Sequence, residues 1–137
     1  MQLGIVLFLL GLLAGFAVPS LANPRMGLAS HLEGVMNGTF LVALGLLWPK
    51  LVLSTRLLKA TLWLAVYGTF ANWMATLLAA AWGAGGSMPI AGLSHTGTAG
   101  EEGVIELLLI SLSLAMVSVC GLLLTGLRGS GGDRIEQ

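Results

Sequence analysis

The chain has 137 residues, six of them basic and six acidic, and 56% are hydrophobic against 9% charged, with a mean hydropathy of +0.94. A soluble domain carries about a quarter charged residues, so this composition excludes one and points to an integral membrane protein. Zero formal net charge without a basic run excludes the footprint of a nucleic-acid binder, and a single cysteine, Cys120, excludes a disulfide within the chain and a cysteine-based zinc site.

Residues 2–21 are almost all apolar and read as a first helix, since roughly 20 such residues cross about 30 Å of hydrocarbon. Ser20-Leu21-Ala22 would suit a signal peptidase, but no basic residue precedes the apolar run, which exceeds the roughly 7–15 residues of a signal peptide. A retained helix is therefore expected, bent or ended at Pro19, with Gly11 and Gly15 spaced for close contact with another helix. A tight turn over residues 22–25 follows from the Asn23-Pro24 step.

A second helix is predicted over 27–48, broken by Pro49, with Trp48 as an interfacial anchor. After a short basic connection, a third helix over 57–82 carries Trp63, Tyr67, Asn72 and Trp73, and Lys59 can snorkel at its start. Residues 83–102 are rich in Gly, Ser and Thr and form the longest connection, a candidate lid in which His95 is expected to be wet. A fourth helix over 103–127 places Glu106 in its first turn and Ser111, Ser113 and Ser118 further in, and a polar tail covers 128–137. The fold expected is all-α, a single domain forming an integral membrane four-helix bundle. Lys50, Arg56, Lys59, Arg128 and Arg134 collect on one side and only Arg25 on the other, which puts both termini in the cytoplasm and the chain in the cytoplasmic membrane.

Within the second helix, the run Ser30-His31-Leu32-Glu33-Gly34-Val35-Met36-Asn37-Gly38 puts an imidazole, a carboxylate and an amide where hydrocarbon is expected, and such groups mark functional sites by default. Ser30, Glu33 and Asn37 share one helical face; Gly27, His31, Gly34 and Gly38 share another, about 120° around. Gly34 and Gly38 let a helix or a flat ligand approach the backbone. His31 is either a neutral imidazole bonded within the fold or a metal or haem ligand. Glu33 and Glu106 read as interfacial carboxylates favoured by the helix dipole; a deeper one would need a partner such as Arg25. Asn37 and Asn72 could each bond across helices, and Tyr67, about 140° from Asn72 around its helix, is the stronger hydrogen-bonding group because a phenol both donates and accepts. No Ser-His-Asp order, phosphate-cradling loop or catalytic carboxylate pair stands out.

Asn23-Pro24-Arg25, the run from Ser30 to Gly38, and Tyr67-Gly68-Thr69-Phe70-Ala71-Asn72-Trp73 resemble the hydroxylaminobenzene mutases over essentially the whole chain. A more distant resemblance is to styrene oxide isomerase, which shares the step of six from histidine to an asparagine followed by glycine (His31, Asn37, Gly38) and a proline where Pro49 stands. The mutase resemblance implies an isomerase that turns hydroxylaminobenzene into 2-aminophenol. The isomerase resemblance implies a four-helix protomer, a homotrimer, and a haem b bound by His31 at each subunit interface, with Gly34 and Gly38 beside it and Asn37 orienting the substrate oxygen. Ferric haem would act as a Lewis acid, Tyr67 would donate or shuttle a proton, and Asn72 would be a second-line group. The isomerase pattern carries a catalytic tyrosine where this chain has Thr76, which weakens an epoxide-opening reading. The alternatives are an epoxide isomerase of the same architecture and, from another class, a non-catalytic helical scaffold or small-solute carrier.

Overall fold

In a computed structural model, which describes residues 1–128, every regular element is helical. The elements are α1 (Gln2–Ala17), α2 (Pro24–Leu47), α3 (Thr55–Trp82), a single turn α4 (Pro89–Gly92) and α5 (Ala99–Arg128), with 3-10 turns at Val18–Ser20 and Trp48–Lys50. Four spans, Gln2–Ser20, Pro24–Lys50, Thr55–Trp82 and Ala99–Arg128, are long and apolar enough to cross a membrane. Beyond Arg128, the polar tail expected from the sequence lies outside the described residues.

Helix boundaries differ from the expected ones where polar side chains cap the ends. The turn expected at residues 22–25 is instead the start of α2: Asn23 accepts the Met26 N–H at 3.1 Å, and Pro24 takes the first helical position, where its missing N–H costs nothing. Asn23 is also buried, donating its backbone N–H to the Ala80 carbonyl at 3.0 Å and its amide to the Gly92 carbonyl at 3.1 Å. It thus ties α2 to the end of α3 and to α4. Helix α5 begins at Ala99, not 103, because Thr98 and Glu101 cap each other's backbone N–H groups at 3.4 and 2.7 Å. Glu106 therefore lies beyond the first turn, on an exposed face.

The long helices pack in chain order, α1 on α2, α2 on α3, α3 on α5, with little contact between α5 and the first two. Glycines make the α1–α2 seam. A Cβ on Gly11 would stand 2.6 Å from the Val35 nitrogen, and one on Gly38 would stand 2.5 Å from the Phe8 nitrogen, so the two backbones touch. The surface expected at Gly34 and Gly38 is thus occupied by a helix, α1, within the chain. Buried Leu7, Leu41, Leu44, Ala65, Trp73 and Val119 fill one end, and Met26, Ala79, Ala80 and Ile105 the other.

The connection from Gly83 to Thr98 is folded against the helix ends. The Glu102 carboxylate accepts the N–H groups of Gly85 and Gly86 at 3.1 Å and of Gly97 at 3.0 Å. His95, expected to be wet, is half-buried, and its Nδ1 donates to the Gly92 carbonyl at 3.1 Å.

Candidate active site

Glu33 lies about 14 Å along α2 from Pro24, at 1.5 Å per residue. A charged side chain at the centre of a membrane-spanning helix costs roughly 2.5–3.5 kcal/mol on insertion scales. Two amides offset the cost: Asn37, one turn later on α2, donates its Nδ2 to Glu33 Oε2 at 3.0 Å, and Asn72 of α3 donates to the same oxygen at 2.6 Å. Each hydrogen bond to a charged group contributes about 1.5–3 kcal/mol. The partner expected for a deep Glu33 was Arg25; the structure gives it Asn37 and Asn72 instead. Beside this cluster the buried Ser30 hydroxyl donates to the Trp73 carbonyl at 3.5 Å.

His31 stands two residues before Glu33 and so about 200° around the helix, facing α1. Its Nδ1 lies 2.8 Å from the Gly11 carbonyl oxygen. A carbonyl only accepts, so Nδ1 carries the hydrogen and, in the neutral ring, Nε2 carries the lone pair. Gly15 makes room for the ring, since a Cβ there would lie 2.8 Å from Nδ1.

Tyr67 sits on the α3–α5 seam, 2.6 Å from the Ser111 hydroxyl. Ser111 gives its own hydrogen to the Leu108 carbonyl at 3.1 Å, which makes Tyr67 the donor of the pair. Of the residues singled out by sequence, the structure therefore joins Asn37 and Asn72, through Glu33, and sets His31 and Tyr67 on separate faces of the chain. Glu33 as the hub was missed, although its four-residue spacing to Asn37 on a shared face was the available signal.

A groove of about 270 Å³ reaches Glu33; Met26, Ala29 and Thr76 line it with Glu33, and Met88, Pro89, Ile90 and Ala91 line it from the α4 segment. A larger groove of about 390 Å³ near Met1, Leu44 and Trp48 has no carboxylate, hydroxyl, carboxamide or imidazole side chain in its lining. The smaller one is where apolar walls meet chemistry.

A sequence model of the family described as styrene oxide isomerase matches residues 1–128, the whole of the described chain. The chain belongs to the styrene oxide isomerase family. Among relatives of this family member, "Hydroxylaminobenzene mutase HabB" of Ectopseudomonas oleovorans is 64% identical over 135 residues, 98% of this chain and 82% of the relative. "Hydroxylaminobenzene mutase HabA" of the same organism is 50% identical over 125 residues, 90% of this chain and 93% of the relative. The resemblance to both groups is thus shown along most of the chain, and His31, Glu33, Asn37, Tyr67 and Asn72 all fall inside the styrene oxide isomerase match. No solved structure matches the chain.

Proposed function

We propose that this isomerase converts hydroxylaminobenzene to 2-aminophenol, moving the hydroxyl oxygen from nitrogen to the ortho ring carbon with no net redox change. The likeness to two hydroxylaminobenzene mutases along nearly the whole chain carries the reading. The reaction needs a group to take up the oxygen as the N–O bond opens, shelter from bulk water, and a hold on the polar head. The groove under α4 supplies the shelter, and Glu33, Asn37 and Asn72 offer the hold. In this reading Tyr67, with Ser111, relays a proton.

His31 is the proposed haem b ligand, and the residues present fit that group. Among the described residues no three of His, Cys, Asp and Glu come together, so a metal held by several side chains has no seat there. A haem asks for one axial imidazole, and the Nδ1–H bond to Gly11 is the partner that fixes such a ring with Nε2 free. Bound at His31, ferric haem supplies a Lewis acid for the departing oxygen. Gly34 and Gly38 serve the site by holding α1, and with it the Gly11 carbonyl, against His31.

His31 and the Asn37–Asn72 pair face opposite neighbours within one chain, which supports a site completed by a second copy; the assembly proposed is a homotrimer of four-helix protomers. Lys50, Arg56, Lys59 and Arg128 collect at one end of the spans, which supports cytoplasmic termini in the cytoplasmic membrane. The family match keeps an epoxide isomerase as the second reading. The deciding experiment gives one membrane preparation hydroxylaminobenzene and styrene oxide separately and chromatographs the products. 2-Aminophenol from the first supports the mutase, isomerised product from styrene oxide alone supports the second reading, and no turnover of either overturns both.

A further inference from the structure

We infer that Glu33 is a catalytic base of this enzyme, held in place by Asn37 and Asn72 at the end of an apolar groove that takes the aromatic ring of a substrate whose head group carries N–H and O–H donors. The inference rests on the mutase reading and deepens it. A carboxylate accepts and does not donate, so by giving their N–H groups to Glu33 Oε2, at 3.0 and 2.6 Å, both amides are fixed with their oxygens turned away from it. Each amide also keeps a second N–H, and three oxygens, Glu33 Oε1, Asn37 Oδ1 and Asn72 Oδ1, remain as acceptors, of which Glu33 Oε1 belongs to the residue that lines the groove. None has a hydrogen bond, and none is sealed off, because Trp73 Nε1 is the one buried side-chain polar atom without a partner among the described residues. The groove that reaches Glu33 is walled by Met26, Ala29, Thr76, Met88, Pro89, Ile90 and Ala91, the Thr76 hydroxyl giving its hydrogen to the Asn72 and Trp73 carbonyls, and at about 270 Å³ it exceeds the roughly 150 Å³ in which an apolar cavity holds benzene. A mostly apolar groove that reaches one carboxylate matches a ring bearing –NH–OH, whose N–H and O–H can be given to Glu33 Oε1.

The same carboxylate supplies the last step. Once the N–O bond has broken and the oxygen has bonded to the ortho carbon, that carbon holds both hydrogen and hydroxyl, and nitrogen is doubly bonded to the ring. Glu33 Oε1 takes the proton from the ortho carbon, the C–H electron pair restores the aromatic ring, the C=N pair becomes a nitrogen lone pair, and Glu33 returns the proton to nitrogen. No electron or proton is gained or lost overall.

The test uses the full chain in detergent, with Glu33→Gln as an isosteric variant and a series of inhibitors on the wild type: N-methyl-, O-methyl- and N,O-dimethyl-N-phenylhydroxylamine, with 4-methylphenylhydroxylamine as the donor-bearing size control. Expected are a loss of at least 100-fold in kcat for Glu33→Gln and inhibition by the dimethyl compound at least 10-fold weaker than binding of the size control. A folded Glu33→Gln with turnover within 3-fold of wild type overturns the assignment while the mutase reading stands. If Glu33→Gln loses its helical circular dichroism, the wild-type series decides: equal inhibition with and without donors overturns the contact between the substrate's head group and Glu33 Oε1. Wild-type protein that leaves hydroxylaminobenzene unchanged overturns the mutase reading itself, and this inference with it.

Discussion

Asn72 reaches Glu33 from another helix, so its amide both satisfies a carboxylate and joins α3 to α2. Asn72→Ala leaves Glu33 with Asn37 alone and is expected to cost about 1–3 kcal/mol, read as a lower midpoint in thermal unfolding in detergent. Asn37→Ala should cost less, because its bond at 3.0 Å is made within one helix and holds no second element. His31 depends on what is missing at position 15. Gly15→Val puts side-chain atoms where the imidazole now bonds Gly11 and should cut haem affinity about 10–100-fold, the usual loss when an outer partner of a metal-binding histidine is disturbed. Haem titration monitored at the Soret band measures it, and an unchanged titration would remove His31 as the ligand or show that the ring does not need Gly11.

At the scale of elements, the α1–α2 seam and the α3–α4–α5 connection rest on different forces. In the seam, backbone lies on backbone, so Gly11→Ala pushes α1 away from the nitrogen of Val35 and is expected to cost about 1–3 kcal/mol as overpacking. Gly121→Ala is the internal control: a Cβ there meets nothing within 4 Å, and removing a glycine from a helix interior should gain up to about 1 kcal/mol. Equal midpoints for the two variants would show that α1 does not sit on α2 in this register. The connection from Gly83 to Thr98 is held by hydrogen bonds to Glu102 and Asn23, with few large buried side chains. Glu102→Ala leaves the Gly85, Gly86 and Gly97 N–H groups without their acceptor and should raise the rate of limited proteolysis within 83–98 at least several-fold. Because Met88, Pro89, Ile90 and Ala91 cover the groove to Glu33, the same variant should raise KM more than it lowers kcat.

For the whole molecule, helices that pack in chain order leave outer faces uncovered. Leu107, Ile110, Leu114, Val117 and Leu124 of α5 are all exposed, as are Ile5, Leu9, Leu13 and Phe16 of α1, which is the surface that lipid or further copies of the chain would cover. If the site is completed between copies, mixing His31→Ala chains with Asn72→Ala chains should restore turnover in the mixed assembly to a measurable fraction of wild type, whereas each variant alone stays inactive. Absence of any rescue, with mixed oligomers demonstrated by tag pull-down, would place the whole site in one chain.

Composition and hydropathy were sufficient for the number of spans, because a helix in lipid must be apolar along its whole length whatever it packs against. The same holds for the residues worth attention: a histidine, a carboxylate and amides in such helices stand out by cost alone. Helix starts were less legible. The Thr98-Ala99-Gly100-Glu101 capping pattern was present in the sequence, but its placement inside a Gly- and Thr-rich connection masked it. Which groups meet was decided by tertiary structure, because the angle around a helix says only that Glu33 and His31 diverge. Packing α2 between α1 and α3 handed His31 to the carbonyl of Gly11 and Glu33 to the amide of Asn72, and no local propensity encodes a contact between residues 39 positions apart.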